Sequence, residues 1–131
     1  MMEDLELLIT EELLRRLEEK KRIFTRKAEQ YCSRLLKSSL LEPRKYMDSF
    51  KRCIGGQLVN PVVSVLWHYW KPHIITRGEP RELLNGLKSV VGYYARRTLL
   101  YGWYINKVSS KQLVEAIAKD YLNTLKHYKK S

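Results

Sequence analysis

The feature that most constrains the fold is a region from Leu13 to Ile54 in which apolar and basic residues both recur at helical spacing. Two stretches within it each place their apolar positions on one side of a helix and many basic positions on a neighbouring side. The basic positions are Arg16, Lys20, Lys27 and Arg34 in the first stretch and Arg44, Lys45, Lys51 and Arg52 in the second. The four of the first stretch fall within about 40° on a helical projection, and no acid lies among them. The pattern predicts two amphipathic helices joined by a turn.

The charge balance indicates what these helices contact. The chain has 25 lysines and arginines against 14 acids, which gives a formal net charge of +11. Residues 1–12 carry five acids and no bases, residues 13–56 carry thirteen bases against five acids, and residues 57–131 carry twelve against four. Nucleic acid is the partner that such a balance most often indicates. An anionic membrane surface and a merely solubilising charge are the alternatives.

Turn and capping residues set the predicted limits of the two helices. Thr10 is a suitable N-cap, and the first helix is then about 28 residues long, ending near Ser38. Pro43 is well placed as the first residue of the second helix, and Gly55-Gly56 predicts its end. We therefore expect residues 1–56 to form a basic N-terminal helix–turn–helix arm that wraps nucleic acid.

The rest of the chain, residues 57–131, predicts a C-terminal helical-bundle body. An N-cap followed by proline favours a helix start at Asn60-Pro61, which Lys71-Pro72 would end. Further helix starts are predicted at Glu79-Pro80 and at Ser109, where Gln112 completes a capping box. The chain is expected to be all-α and to end in a basic tail at residues 128–131.

Patterns typical of catalysis are missing from the sequence. His68, His73 and His127 stand alone, and no glycine-rich phosphate loop or nucleophile–histidine spacing occurs. Cys32 and Cys53 lack metal-ligand spacing, so they are either small buried side chains, the favoured interpretation, or a disulfide. We expect no catalytic residue, metal site, cofactor or small-molecule substrate, and therefore no enzyme.

The candidate nucleic-acid-binding residues are the basic residues of the predicted arm. Lysine and arginine contacts to phosphate carry no sequence information, so these residues predict sequence-independent binding. The candidates are Arg15, Arg16, Lys20, Lys21, Arg22, Arg26, Lys27, Arg34, Lys37, Arg44, Lys45, Lys51 and Arg52.

Two short motifs in the body add a family resemblance. The segment Asn60 to Leu66, Asn-Pro-Val-Val-Ser-Val-Leu, resembles a helix start in the major capsid proteins of rod-shaped and filamentous archaeal viruses: rudiviruses, lipothrixviruses and tristromaviruses. The segment Asn85 to Lys88, followed by Tyr93-Tyr94, is similar to a second stretch of those proteins. The order of basic arm, Asn-Pro helix and further helices covers most of the chain, although the acidic residues 1–12 depart from the family pattern.

The resemblance implies a four-helix-bundle body and a structural role in the virion, which is assembled in the host cytoplasm. It also implies a homodimer, or a heterodimer with a paralogous coat protein, whose arms wrap double-stranded DNA of A-form inside a helical filament. Heavy use of lysine, arginine and tyrosine, with only seven asparagines and glutamines, favours a hyperthermophilic source.

Two other functions fit the same residues. One is a cellular DNA- or RNA-binding regulator of helical fold, and the other is a basic protein–protein adaptor of a replication complex. The sequence leaves open whether the nucleic acid is DNA or RNA, whether the dimer has identical subunits, and what residues 1–12 do.

Overall fold

In the computed structural model, which describes residues 2–127, the chain is helical and this described part contains no strand. The predicted all-α fold is confirmed. The helices are α1 (Met2–Leu8), α2 (Glu11–Tyr31), α3 (Ser33–Leu41), α4 (Pro43–Ile74), α5 (Pro80–Arg96), α6 (Leu99–Tyr104) and α7 (Ser110–Leu125). A 3₁₀ turn, Ile75–Arg77, follows α4. The predicted basic tail at 128–131 lies outside the described residues.

Four of these helices form a closed ring, in which α2 packs on α4, α4 on α5, α5 on α7 and α7 on α2. Neighbours in the ring run antiparallel. A Cβ at Gly55, in the first half of α4, would lie against Ala95 at the end of α5, and the Tyr121 hydroxyl near the end of α7 donates to the Leu83 carbonyl near the start of α5. The four helices therefore form an up-and-down four-helix bundle, to which the predicted arm contributes α2, and α4 is its central helix because it also contacts α1, α3 and α6.

Large aromatic side chains fill the core and have partners for their polar atoms. Trp70 is fully buried, stacks on Tyr121, and donates its indole N–H to the Leu8 carbonyl at 2.8 Å. This bond ties α1 to α4. Trp103 donates to the Ser110 hydroxyl, which in turn donates to the Glu18 carboxylate. That chain of bonds joins α6, α7 and α2, so each buried indole also fixes the position of a neighbouring helix.

The predicted end of the helix that starts at Pro43 is wrong. Gly55-Gly56 was expected to end one helix and Asn60-Pro61 to begin the next, but α4 runs through both for 32 residues, about 48 Å. The predicted boundary between residues 56 and 57 thus falls inside a continuous helix. A single hydrophobic core also contains residues from both sides of it, such as Leu17 and Leu113.

Close packing against α5 explains Gly55 but not Gly56. A Cβ at Gly55 would lie 2.9 Å from the Ala95 carbonyl oxygen, so α4 and α5 can approach this closely only if position 55 has no side chain. At Gly56 a Cβ would meet nothing within 4 Å. Neither glycine has a positive φ, the conformation that ends helices.

Solvent exposure explains how α4 tolerates two internal prolines. Pro61 and Pro72 have no N–H, which leaves the carbonyls of Gln57 and His68 without a helical hydrogen bond. Both Gln57 and His68 are exposed, so water can reach this side of the helix. The Lys71-Pro72 pair therefore does not end α4, which continues to Ile74.

The predicted helix of about 28 residues after Thr10 is also interrupted. It breaks at Cys32, where the backbone leaves helical geometry (φ −96°, ψ 13°), although hydrogen bonds continue on both sides. Cys32 forms a disulfide with Cys53 of α4, with the Cα atoms 6.0 Å apart. The favoured prediction of two small buried thiols is therefore wrong.

Beyond the disulfide, α3 and the start of α4 form an antiparallel hairpin. The α3 helix packs on α4 and on the end of α2, and Glu42 alone makes the turn between α3 and α4. The predicted turn at residues 38–43 is thus shorter than expected. On α4, Phe50 contacts the rings of Tyr101 and Tyr104 of α6. We call residues 33–52 the hairpin; its apex, residues 40–45, is exposed and projects from the bundle.

Other local predictions are confirmed. The Thr10 hydroxyl accepts from the backbone N–H of Leu13, and Pro43 and Pro80 begin α4 and α5. The predicted capping box at Ser109, with Gln112, is formed in both directions.

Candidate nucleic-acid interface

The thirteen predicted binding residues lie on α2, α3 and the first turns of α4, and most of them face outwards. Ten are exposed: Arg15, Arg16, Arg22, Arg26, Lys27, Arg34, Lys37, Arg44, Lys45 and Arg52. The other three, Lys20, Lys21 and Lys51, are half-buried. The structure therefore separates a large accessible group from a small group that takes part in packing.

The exposed cations of α2 lie opposite its buried face. Leu13, Leu17 and Ala28 are buried against the bundle. Helical geometry places Arg15, Arg22 and Arg26 within about 40° on the outer side, and Arg16 and Lys27 about 110° further round. These five cations thus cover a broad outward surface rather than a single narrow stripe.

A shallow depression of about 300 Å³ marks part of this surface. It is lined by Arg22, Ile23, Arg26, Lys27 and Gln30, so three cations and an amide surround one half-exposed isoleucine. A concave surface rimmed by guanidinium and ammonium groups is well suited to a phosphate group of a polyanion.

Lys21 is part of the fold. Its ammonium donates to the Asn106 side-chain oxygen at 2.6 Å and lies 5.1 Å from the centre of the Trp103 ring. Burial lowers the pKa of Lys21 below its ordinary value, although the Glu18 carboxylate opposes the shift. Lys21 therefore holds α2 against α6 and the loop that follows it, and its assignment as a phosphate contact stays a prediction.

Lys51 is a second cation with an internal partner. Its ammonium lies 5.6 Å from the centre of the Tyr101 ring, and the side chain is half-buried between α4 and α6. Lys20 is half-buried at the edge of the α2 surface. Both are less available to a ligand than the ten exposed cations.

Two of the five acids of α2 are bonded to hydroxyls of other helices. Glu18 accepts from Ser110, and Glu29 accepts from the Tyr104 hydroxyl at 2.5 Å. Burial first, and then the bond to Glu29, raises the pKa of Tyr104, so this hydroxyl stays protonated and remains a donor. The pairing of Glu18 with Arg22 that helical spacing allows is absent from the ion pairs of the described residues.

The thirteen candidates form a single ion pair within the described residues. It joins Arg16 to Glu19 at 3.8 Å, and both side chains are at least half exposed. Such a surface pair contributes little stability. The other exposed candidates are therefore not neutralised by an ion pair with the protein's own acids in residues 2–127.

The disulfide brings the cations of α3 and α4 together. It fixes Cys32 opposite Cys53. Because α3 and the start of α4 run antiparallel, Arg34 and Arg52 then lie at nearly the same height along the two helices. Lys37 follows on α3, and Arg44 and Lys45 stand at the start of α4. The break at Cys32 means that Arg34 does not continue the straight row of α2 cations that the sequence predicted.

The sequence contained one signal for this disulfide. Cys32 lies ten residues before Glu42 and Cys53 eleven residues after it. Residues equally distant from the turn of an antiparallel helical hairpin face each other, so the two cysteines were placed to meet.

The acidic N-terminal segment, whose role the sequence left open, packs at the other end of α4. Asp4 forms an ion pair with Arg77 at 2.9 Å. The hydrogen bond from Arg77 and its charge keep the pKa of Asp4 below its ordinary value, against a smaller desolvation effect. The described acids of this segment thus lie far from the hairpin.

The residues 2–127 contain no group of three or more side chains that could hold a metal ion, and none of their helices is long and apolar enough to cross a membrane. Comparison with known proteins finds no matching family model, no similar curated protein and no similar solved structure.

Proposed function

We propose that this protein is a structural nucleoprotein that coats and condenses double-stranded DNA through sequence-independent phosphate contacts. The observation that carries the proposal is the outward surface of α2 and the hairpin. It presents ten exposed cations, of which only Arg16 forms an ion pair within the described residues. The acids Glu18 and Glu29 of α2 are directed to hydroxyls of the body instead.

The chemistry of this surface favours phosphate over bases. Its cations lie at the ends of long, solvated side chains, which suit contacts to phosphate that carry no sequence information. A duplex carries two charges per base pair, and a net charge of +11 would therefore offset about five to six base pairs per subunit. Binding that depends on charge alone is what packaging of a whole genome requires.

The resemblance in the Asn60–Leu66 and Asn85–Tyr94 segments extends the proposal to the major capsid protein of a rod-shaped or filamentous archaeal virus. On this hypothesis two copies, or one copy and a paralogous coat protein, form the building unit of a helical filament. The unit encloses A-form DNA in the virion and is assembled in the host cytoplasm. Asn60 lies inside α4 and does not begin a helix, so the capsid assignment depends on the sequence resemblance and the DNA-binding assignment on the charged surface.

Fluorescence anisotropy with two labelled duplexes of unrelated sequence tests the DNA-binding part. We expect equal affinities for both duplexes. The variant Arg22→Glu/Arg26→Glu/Lys27→Glu should bind about a hundredfold more weakly, at about 1 kcal/mol for each lost contact.

The matched control makes the same change in charge elsewhere. Arg81, Lys88 and Lys111 are exposed on α5 and α7, and their triple replacement by glutamate should reduce affinity much less. Equal losses in both variants would show that net charge, and not this surface, determines binding. Preference for one duplex would indicate a regulator, and no binding at physiological salt would favour an adaptor.

Electron microscopy of the protein with long linear duplex tests the capsid part. Filaments that enclose DNA are expected, and discrete closed particles would contradict a coat protein. The same experiment with duplex RNA distinguishes the two nucleic acids.

A further inference from the structure

The apex of the hairpin carries two highly exposed aliphatic side chains. Leu40 and Leu41, the last two residues of α3, are 71% and 84% exposed. Most apolar residues of this size in the chain are buried in the core. Two adjacent exposed leucines at the end of a projection form an apolar patch of the kind that marks a protein or membrane contact.

Cations surround the two leucines on both sides of the turn. Lys37 precedes them by one helical turn, and Arg44 and Lys45 follow them within five residues; all three are exposed. Glu42 is the only acid between residues 37 and 45. The apex thus combines an apolar tip with a positive collar.

We infer that the apex binds the surface of an anionic lipid bilayer, with Leu40 and Leu41 inserted among the acyl chains and the collar on the headgroups. The transfer of leucine side chains out of water is favourable in free energy, and so is the attraction of lysine and arginine to an anionic leaflet. Their long side chains can reach the headgroups from a hairpin inserted end-on.

The length of the hairpin beyond the bundle matches the depth to which interfacial segments insert into a bilayer. Pro43 lies seven residues before Phe50, where α4 contacts α6, so the tip extends about 10 Å past that contact at 1.5 Å per residue. Interfacial segments insert about 5–10 Å into the boundary between headgroups and acyl chains. The hairpin can therefore insert its leucines while the bundle stays in water.

Shape and charge favour lipid over a second copy of the chain. A convex apex with two leucines offers little area against a rigid protein, whereas a stable interface buries on the order of 1,000 Å². Two such apices would also bring their positive collars together. A bilayer deforms around the tip, and anionic headgroups neutralise the collar.

The apex shares its collar with the proposed DNA surface, because Lys37, Arg44 and Lys45 belong to the ten exposed cations, and only the two leucines distinguish the two ligands. Phosphates can bind the collar, but they leave both leucines in water. The inference goes beyond the proposed function and does not depend on it, because the vesicle experiment contains no nucleic acid.

Flotation of the full chain with phosphatidylcholine vesicles, with and without phosphatidylserine, tests the inference. We expect the chain to float only with the vesicles that contain phosphatidylserine in addition to phosphatidylcholine. Leu40→Ser/Leu41→Ser should weaken it about tenfold or more, and Arg44→Gln/Lys45→Gln about fivefold for each charge. Leu7→Ser is the matched control, because Leu7 is 51% exposed on α1 near the opposite end of α4, and it should bind as the parent does.

Three kinds of result would overturn the inference. The first concerns vesicles: the parent does not bind them, the double-leucine variant binds them as the parent does, or phosphatidylserine makes no difference. The second is a double-leucine variant that loses self-association in sedimentation without lipid, which would assign the apex to a second copy. The third is a double-leucine variant whose duplex affinity falls while vesicle binding persists, which would assign the apex to the DNA interface. Circular dichroism should show an unchanged fold, since both leucines are exposed.

Discussion

Replacing each of two adjacent glycines of α4 by alanine should have opposite effects on the free energy of unfolding. Replacing a glycine inside a helix by alanine stabilises the helix by about 1 kcal/mol, since alanine loses less backbone entropy on folding. At Gly56 nothing lies within 4 Å of the new Cβ, so Gly56→Ala should raise the free energy of unfolding by about that amount.

At Gly55 the new methyl group meets the backbone of α5. Its Cβ would lie 2.9 Å from the Ala95 carbonyl oxygen and 3.3 Å from the Ala95 Cα atom, and neither can rotate away. Overpacking of this kind costs about 1–3 kcal/mol, which equals or exceeds the gain in helix propensity. Gly55→Ala should therefore leave the stability unchanged or lower it by up to about 2 kcal/mol.

Urea unfolding followed by far-UV circular dichroism measures both variants. The predicted result is that Gly56→Ala is more stable than the parent and Gly55→Ala is not. If both substitutions destabilise the protein, the glycines end a helix, as the sequence alone predicted. If both stabilise it, α4 and α5 do not approach each other closely at position 55.

Three further predictions follow from other contacts. Replacing both cysteines with serine should lower the free energy of unfolding by about 3 kcal/mol in urea, because the disulfide closes a loop with a sequence separation of 21 residues. Lys21→Gln should mainly lower the melting temperature, measured by calorimetry, whereas Lys27→Gln should mainly weaken duplex binding, measured by anisotropy. Equal changes of both quantities in the two variants would contradict this distinction between the lysines. Burial, with the Asp120 hydrogen bond, raises the pKa of Tyr94 from its ordinary value of 10.0 to about 12, so stability should fall between those pH values as the hydroxyl ionises. In Tyr94→Phe, pH-dependent unfolding should show a smaller decrease, and an unchanged decrease would exclude this tyrosine as its source.

The sequence correctly predicted those helix starts that depend only on residues close by in the chain. Thr10, Pro43 and Ser109 cap or begin helices through bonds and geometry within a few residues, so each was visible in the sequence. Gly55 and Pro61 failed as signals because tertiary packing decides their effect. Gly55 is required by a neighbouring helix, and packing over the full length of α4 stabilises it despite Pro61.

The candidate interface shows the same division. Which cations belong to the basic surface could be predicted from helical spacing, but the engagement of Lys21 by Asn106 could not, since those residues are 85 positions apart. The disulfide depends likewise on the register of the hairpin. The exposure of Leu40 and Leu41 depends on the projection of α3 beyond the bundle, which the sequence does not specify.

The salt dependence of duplex binding tests most directly the central claim, that the outer surface of α2 and the hairpin is a phosphate-binding surface. Each neutralised phosphate contributes about −0.9 to the slope of log K against log salt concentration. If at least half of the ten exposed cations contact phosphate, the slope for a random duplex is about −4.5 or steeper. A slope near zero, or no measurable affinity at low salt, would contradict the claim.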